Sequence, residues 1–136
     1  MPPITVDCAV RWGDLDALGH VNNTVFFRFF EEARIALLDH VGLRALRDAT
    51  RTGPILAATS CRFLRPLGFP DALRCVAWVE SIGTTSFVVA YRLTSEAVGE
   101  AATGDSVVVH YDYAAEAKAP LPDAVRAKLE GLRAAP

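Results

Sequence analysis

The order of hydrophobic patterns along the chain constrains its fold more than any other feature. One extended segment comes first, one long helical pattern follows it, and four further extended segments come after the helix. A single long helix beside consecutive strands predicts an α+β domain in which the helix packs against an antiparallel sheet. A length of 136 residues suits one globular domain, so residues 1–136 are assigned to a single domain.

The helical pattern begins after two asparagines and is apolar over most of its surface. Its core-facing side carries Phe26, Phe29, Phe30, Ala33, Ala36 and Leu37. Asn22 or Asn23 is the expected N-cap, and Gly42 suits a left-handed cap at the other end. Opposite charges on the remaining polar stripe stand at ion-pair spacing, Arg28 with Glu32 and Glu31 with Arg34. The pattern predicts a largely enclosed helix.

The extended segments predict a curved sheet of about five strands. Alternation of Ile4, Val6, Cys8 and Val10 with polar residues marks the first strand, and segments 55–65, 72–82, 84–95 and 100–113 mark the others. Turn residues at 66–70, Gly83 and Gly99 separate these four segments, so we expect successive segments to pair as antiparallel hairpins. Residues 43–53 are expected to connect helix and sheet, and residues 124–133 to form a short helix. Strands this long suggest a sheet curved around the helix.

Composition and charge exclude several classes of partner and site. The formal charge of −2 and the pI near 5.9 argue against nucleic acid and anionic membranes as partners. A secretory signal and a long apolar span are both lacking, which predicts a cytoplasmic protein. Cys8, Cys61 and Cys75 form no CxxC pair, so reduced thiols are favoured over disulfides or zinc ligands. We expect neither a metal nor a cofactor.

Exposed sheet edges and the uncovered sheet face predict self-association. One helix covers only one face of the sheet, and the edge strands keep unpaired backbone groups. A homodimer is therefore expected rather than a monomer.

The densest cluster of reactive side chains lies between the first strand and the helix. It contains Asp14, Asp16, His20, Asn22 and Asn23. The first amides of a helix lack intrahelical partners and carry the positive end of its dipole, so they can stabilise an oxyanion. A carboxylate beside such donors can act as nucleophile or as general base, and Asp16 is the candidate. Asx turns at Asp14 and Asp16 would explain the same residues, and spacing alone leaves that alternative open.

These residues resemble a known family. The run Asp14-Leu15-Asp16, followed by Gly19-His20-Val21-Asn22-Asn23, Phe26 and Glu31-Glu32-Ala33-Arg34, is similar to hot-dog-fold acyl-CoA thioesterases of the 4-hydroxybenzoyl-CoA thioesterase type. The likeness is greatest to bacterial acyl-CoA thioesterases with a GHVNN loop. The resemblance implies a long buried helix wrapped by the sheet, acyl-CoA as substrate, and sites at the subunit interface of a homodimer or dimer of dimers.

The resemblance also implies residue roles. Asp16 takes the position of the catalytic carboxylate, and the backbone N–H of Asn23 takes that of the group that polarises the thioester carbonyl. His20 is expected to act at the site by positioning, while proton transfer is a second possibility. Predicted substrate contacts are Asn22, Phe26, Thr85, Ser86 and Arg65. Phe26 stands where the family usually has tyrosine, so the phenolic hydroxyl is lost.

Two questions stay open at this stage. Benzoyl-specific relatives place basic residues before the Ser-Phe that here follows Thr85, and this chain has none there. Phosphate contacts could come instead from Arg62, Arg65, Arg74 or Arg92, although pairing with Glu80 would explain such arginines equally well. The alternative functions are a hot-dog enoyl-thioester hydratase or dehydratase that uses His20 and Glu32, and a non-catalytic acyl-CoA binder.

Overall fold

An 18-residue helix lies against one face of a curled antiparallel sheet in the computed structural model, which describes residues 2–136. The elements are β1 (Ile4–Ala9), α1 (Asn23–His40), α2 (Leu43–Thr50), β2 (Thr52–Phe63), β3 (Ala72–Ile82), β4 (Ser86–Ser95), β5 (Gly99–Asp112), β6 (Ala117–Lys118) and α3 (Asp123–Glu130). A 3₁₀ turn at Trp12–Asp14 follows β1. Within residues 2–136, no helix combines the length and the apolar character needed to cross a membrane.

Helix α1 is enclosed as its pattern predicts. Asn22 is the N-cap, and its side-chain oxygen accepts a hydrogen bond from the Thr24 amide at 2.9 Å. The apolar side of the helix packs on the sheet, where Phe29 and Phe30 are fully buried. The Phe30 ring stacks on Tyr91 of β4 with 4.6 Å between ring centroids. Burial of these aromatic side chains provides much of the hydrophobic stabilisation of the domain.

The strand order β1-β3-β4-β5-β2 corrects one predicted pairing. Hairpins β3–β4 and β4–β5 are confirmed, whereas the predicted β2–β3 hairpin is wrong, because β2 pairs with β5 and β3 pairs with β1. The connection between β2 and β3 does not turn back: Leu67 is fully buried, and its carbonyl accepts from the Val21 amide at 2.9 Å. The segment thus runs past the start of α1 to the opposite side of the sheet, where β3 lies between β1 and β4. As an edge strand, β2 also tolerates Pro54.

The segment after α1 also differs from the expected connection. Leu43–Thr50 forms α2, with Leu43 fully buried and most of its other side chains exposed. The pattern is only two turns long, too short to stand out against a loop in the sequence. Gly42 adopts a positive φ of 84°, as expected for a helix end, and also precedes α2. Strand β2 then begins at Thr52, earlier than predicted.

Substitution of Gly104 tests how closely α1 approaches the sheet. A Cβ atom on Gly104 would collide with the Phe30 ring and the Ser60 carbonyl. Gly104→Ala is therefore expected to lower the free energy of unfolding by about 1–3 kcal/mol or more, measured by urea denaturation. Gly68→Ala is the matched control, because a Cβ there has no neighbour within 4 Å. Equal effects of the two substitutions would contradict the packing described.

Candidate active site

The loop between β1 and α1 closes into a tight turn that fixes the Asp16 backbone. The Asp16 amide donates to the His20 carbonyl at 2.8 Å, and the Gly19 amide donates to the Asp16 carbonyl at 3.0 Å. Gly19 has a φ of 82°, a left-handed conformation that favours glycine. The backbone itself therefore holds Asp16 and His20 close together.

Asp14 ties this loop to α1. Its two carboxylate oxygens accept from Arg28 Nη1 and Nη2, each at 3.0 Å, and Oδ2 also accepts from the Arg11 amide at 2.8 Å. The Asn22 amide donates to the Asp14 carbonyl at 2.9 Å. Burial by itself would raise the pKa of Asp14, but the hydrogen bonds from Arg28 and Arg11 and the Arg28 charge outweigh it and lower that pKa. The ionised, buried carboxylate anchors the loop.

The ion pairs of α1 differ in part from those predicted by spacing. Arg28 pairs with Asp14 rather than with Glu32, because the buried carboxylate offers two-point hydrogen bonding. The Glu32 carboxylate accepts instead from the Cys8 thiol at 2.9 Å. The predicted pair of Glu31 and Arg34 is confirmed, with 3.7 Å between Oε2 and Nη2.

A cavity of about 360 Å³ at the start of α1 brings together five of the predicted site residues. These are Asp16, His20, Asn23, Phe26 and Arg65, and the remaining lining residues are Val21, Phe63, Leu64 and Pro66. Polar and charged groups therefore face an apolar wall across one cavity, the usual composition of a small-molecule site. Glu32 is not among the lining residues.

Asp16 and Asn23, the two residues predicted to act on the thioester, both line this cavity. One carboxylate oxygen of Asp16 accepts from the Leu18 amide at 2.8 Å, which is the Asx turn considered above and still leaves the second oxygen to act. At the helix start, Asn22 satisfies the amides of Thr24 and Val25. Among residues 2–136, the first helical amide, Asn23 N–H, has no acceptor. A carboxylate and an unpaired helix N–H thus share one cavity.

Aromatic rings form the apolar wall. The Phe63 ring lies edge-on to Phe26, with 4.9 Å between centroids and an interplanar angle of 77°. Phe26 is buried, whereas Phe63, at the end of β2, is 47% exposed. The sequence analysis missed Phe63 because only the tertiary structure brings the end of β2 to the start of α1. No local pattern signals that approach.

Three predicted contact residues do not line this cavity. The Asn22 side chain caps α1, where it accepts from the Thr24 amide and hydroxyl. Thr85 and Ser86 lie at the β3–β4 turn, and the Thr85 carbonyl accepts from the His110 amide at 2.8 Å. A positive side chain does lie at that turn, because Arg126 of α3 donates to the Gly83 carbonyl at 2.7 Å. The tertiary structure supplies a charge that the local sequence lacks.

The other candidate arginines lie elsewhere. Arg62 and Arg92 line a separate surface cavity with Trp78, whose ring centroid is 5.8 Å from the Arg92 guanidinium carbon. Arg74 pairs with Asp7 at 3.0 Å, and both side chains are exposed. Of the four arginines considered for phosphate contacts, Arg65 lines the cavity that contains Asp16.

The cysteines lack the properties of nucleophiles. Burial raises the pKa of Cys61 to about 11, and burial with the nearby Glu32 charge raises that of Cys75 to about 12. Burial and the hydrogen bond to Glu32 raise the pKa of Cys8 as well. Thiols with raised pKa values react poorly near neutral pH. Across residues 2–136, no group of three His, Cys, Asp or Glu side chains is placed to hold a metal ion.

Comparison with known proteins shows the family to which this chain belongs. Residues 10–129 match the Thioesterase-like superfamily, and this match extends over most of the chain. The chain belongs to this superfamily. A Bacillus subtilis relative of this thioesterase-like chain, the uncharacterized protein YsmA, is 29% identical over 83 residues. That match covers 61% of this chain and 55% of YsmA, so the chain aligns with only about half of its curated relative.

Solved structures establish the fold. A thioesterase from Thermus thermophilus, complexed with coenzyme A and zinc, is 31% identical, with a TM-score of 0.83 over 99% of this chain and 97% of that one. A 1,4-dihydroxy-2-naphthoyl-CoA thioesterase from Synechocystis is 21% identical, with a TM-score of 0.83 over 97% of this chain and 98% of that one, which speaks to the fold alone. The predicted hot-dog fold is confirmed.

Loss of the Asp14–Arg28 ion pair is expected to destabilise the thioesterase-like domain. Arg28→Gln leaves Asp14 buried without its charged partner and should lower the free energy of unfolding by about 2–3 kcal/mol. The cost stays at or below the lower end of the ~3–5 kcal/mol typical of breaking a fully buried pair, because the Arg28 side chain is 35% exposed and partly screened. Urea denaturation at neutral pH measures the difference. Arg44→Gln is the control, since it breaks an exposed pair with Asp39 and should cost less than about 1 kcal/mol.

The stabilisation that Arg28→Gln removes is expected to depend on pH. Because the folded-state pKa of Asp14 lies below its ordinary value of 3.8, the stabilisation is fully present above about pH 4. It is lost as the pH falls through the folded-state pKa, when Asp14 becomes protonated. The stability difference between wild type and Arg28→Gln should therefore shrink on acidification below that range. A difference that stays constant down to the acid transition would contradict this assignment.

Proposed function

We propose that the protein hydrolyses acyl-CoA thioesters to the free acid and coenzyme A. The observation that carries the proposal is the shared cavity of Asp16 and the unpaired Asn23 N–H. Superfamily membership supports thioesterase chemistry, and the coenzyme A complex of the Thermus thermophilus protein supports a coenzyme A thioester as substrate. Within the superfamily, we assign the chain to the 4-hydroxybenzoyl-CoA thioesterase type with a GHVNN loop.

In one form of the proposed mechanism, Asp16 is a general base. Its free carboxylate oxygen takes a proton from water, the water oxygen attacks the thioester carbon, and the carbonyl electrons move to the oxygen. Asn23 N–H donates to that oxyanion, with the α1 dipole adding to its stabilisation. Collapse breaks the C–S bond, and the thiolate leaves and takes up the proton. Because thiol pKa values lie near about 8.5, the leaving group needs little help from an acid.

In the second form, Asp16 is the nucleophile. A carboxylate oxygen bonds to the thioester carbon and the thiolate leaves, which gives a mixed anhydride on Asp16. Water then cleaves the anhydride, releases the acid and restores the carboxylate. Asn23 N–H serves the oxyanion in both forms. His20 positions the loop through its carbonyl, Phe26 borders the acyl group, and Arg65 provides a positive charge at the cavity for a phosphate.

The proposal includes a homodimer, or a dimer of dimers, with cavities at the subunit interface. Strand β2 is a sheet edge with β5 as its neighbour, and it exposes Ile55 and Phe63. Exposed apolar edges of this kind favour pairing with a second chain. Phe63 belongs both to this edge and to the cavity wall, so a subunit on β2 would close the cavity. Thr85, Ser86 and Asn22 stay predicted substrate contacts in that assembly.

The position of Glu32 argues against the hydratase alternative. A hydratase would need His20 and Glu32 to face one substrate, but Glu32 binds Cys8 and is absent from the cavity lined by His20. The cavity that Asp16 shares with the unpaired Asn23 N–H argues against a non-catalytic binder. Both alternatives can be tested together with the main proposal.

Replacement of Asp16 tests the proposed hydrolysis. Asp16→Asn is expected to lower kcat by about 10²–10⁴-fold, because the amide neither attacks the thioester nor accepts a proton from water. The assay is free-thiol release from short, medium and long aliphatic, enoyl and aromatic acyl-CoAs. Melting temperature and oligomeric state should stay unchanged.

Glu32→Gln is the matched control and should retain near-wild-type thiol release. Hydration of enoyl-CoA that depends on Glu32 would support the hydratase instead. Folded wild-type protein that binds acyl-CoA without releasing thiol would indicate a binder. Near-wild-type turnover by Asp16→Asn would overturn the role given to Asp16.

A further inference from the structure

A second cavity, lined by three arginines, lies between α1, α2 and β2. Its volume is about 210 Å³, and Arg34, Arg44 and Arg47 line it. Its other lining residues are Ile35, Leu38, Pro54, Leu56 and Val108. Within the described chain, residues 2–136, no carboxylate is among the lining residues. The cavity is thus cationic on one side and apolar on the other.

Arg34 is the unusual member of this group because its charge is buried. The residue is only 7% exposed, and its Nη1 donates to the Tyr91 and Ser106 hydroxyls at 3.3 and 3.4 Å. These partners are neutral, and the Glu31 carboxylate lies 3.7 Å from Nη2 and is largely exposed. Arg28 on the same helix has instead a two-point ion pair with buried Asp14. A buried charge without such a partner favours a nearby anion.

The other two arginines add charge at the cavity mouth. Arg44 pairs with Asp39 at 3.1 Å, but both side chains are about half exposed and the pair is screened by water. Arg47 forms no ion pair with any residue in the range 2–136. Its side chain lies against Gly53, where a Cβ would come within 2.8 Å of Arg47 Cβ. Gly53 therefore allows α2 to approach β2 and brings Arg47 to the cavity.

The apolar side requires a ligand with a hydrocarbon part. Ile35 and Leu56 are partly exposed there and would be covered by a short chain. At about 30 Å³ per water-sized group, 210 Å³ holds about seven such groups. A carboxylate with a chain of about five carbons satisfies the charge, the apolar wall and the volume, whereas inorganic phosphate satisfies the charge alone.

The geometry points to a binding site for small amphipathic carboxylates at this cavity. Guanidinium groups bind carboxylates through paired, charge-assisted hydrogen bonds. The site is distinct from the Asp16 cavity: Leu56 and Phe63, which line the two cavities, are seven residues apart on β2, or about 23 Å along the strand. Acids released by thioester hydrolysis belong to the same chemical class, and that link alone rests on the proposed function.

The test is an NMR titration of the intact protein, without substrate, using three probes. Pentanoate carries both charge and chain, 1-pentanol carries the chain, and inorganic phosphate carries the charge. Pentanoate should bind saturably with shifts centred on α2 and the first half of β2, and at least about tenfold more tightly than either other probe. Similar affinity for pentanol, similar affinity for phosphate, or no saturable binding would each overturn the proposal.

Two variants locate the binding. Arg47→Gln, at an exposed position, should keep the fold and weaken pentanoate binding about tenfold. Arg62→Gln removes a charge elsewhere on the surface and should leave the affinity unchanged. Equal weakening by both variants, or no weakening by Arg47→Gln, would overturn the assignment. Because the titration needs no turnover, its result is independent of whether thioester hydrolysis is observed.

Discussion

The burial of α1 against the sheet is the constraint on which the rest of this structure depends. Phe29, Phe30 and Leu37 lie on the helix face that the sheet covers completely, and Gly104 leaves room for the Phe30 ring. This packing fixes where α1 begins. The start of α1 in turn fixes the direction of its dipole and the location of the Asn23 N–H, so the hydrophobic core determines the position of the proposed oxyanion donor.

A second interaction links α1 to the loop between β1 and α1. The Arg28 side chain extends from α1 to the Asp14 carboxylate. The Asp14 carbonyl in turn accepts a hydrogen bond from the Asn22 amide. Asp16, two residues further on, is held by the short turn that Gly19 allows. The two neighbouring aspartates therefore have different tasks, which their surroundings set: Asp14 is buried and bound at both oxygens, while Asp16 faces the cavity. Such a division agrees with the proposed site, in which hydrogen bonds hold the loop and leave one Asp16 carboxylate oxygen available.

Much of the fold followed from local patterns. The long helix with its Asn22 cap, the segment 72–82 and the hairpins about Gly83 and Gly99 all rest on periodicity and turn residues within a few positions of each other. The prediction of a β2–β3 hairpin was wrong, because residues 66–70 indicate a break between two strands but not which strand each of them pairs with. The burial of Leu67, whose carbonyl accepts from the Val21 amide, carries the chain to the far side of the sheet, next to β1. Such a long-range contact leaves no periodic signal.

The candidate site likewise has some features that the local sequence predicts and others that depend on the tertiary structure. The sequence by itself determined the candidate residues at the start of α1, because Asp16, His20 and Asn23 lie within one short segment whose residue types and helix boundary are local properties. Only the tertiary structure decided that Phe63 of β2 lines the same cavity. It also decided that Arg28 pairs with Asp14 rather than Glu32, and that Arg34 of α1 and Arg47 of α2 line one second cavity. These contacts join segments far apart in the chain, and their geometry is set by how helices and strands pack rather than by neighbouring residues.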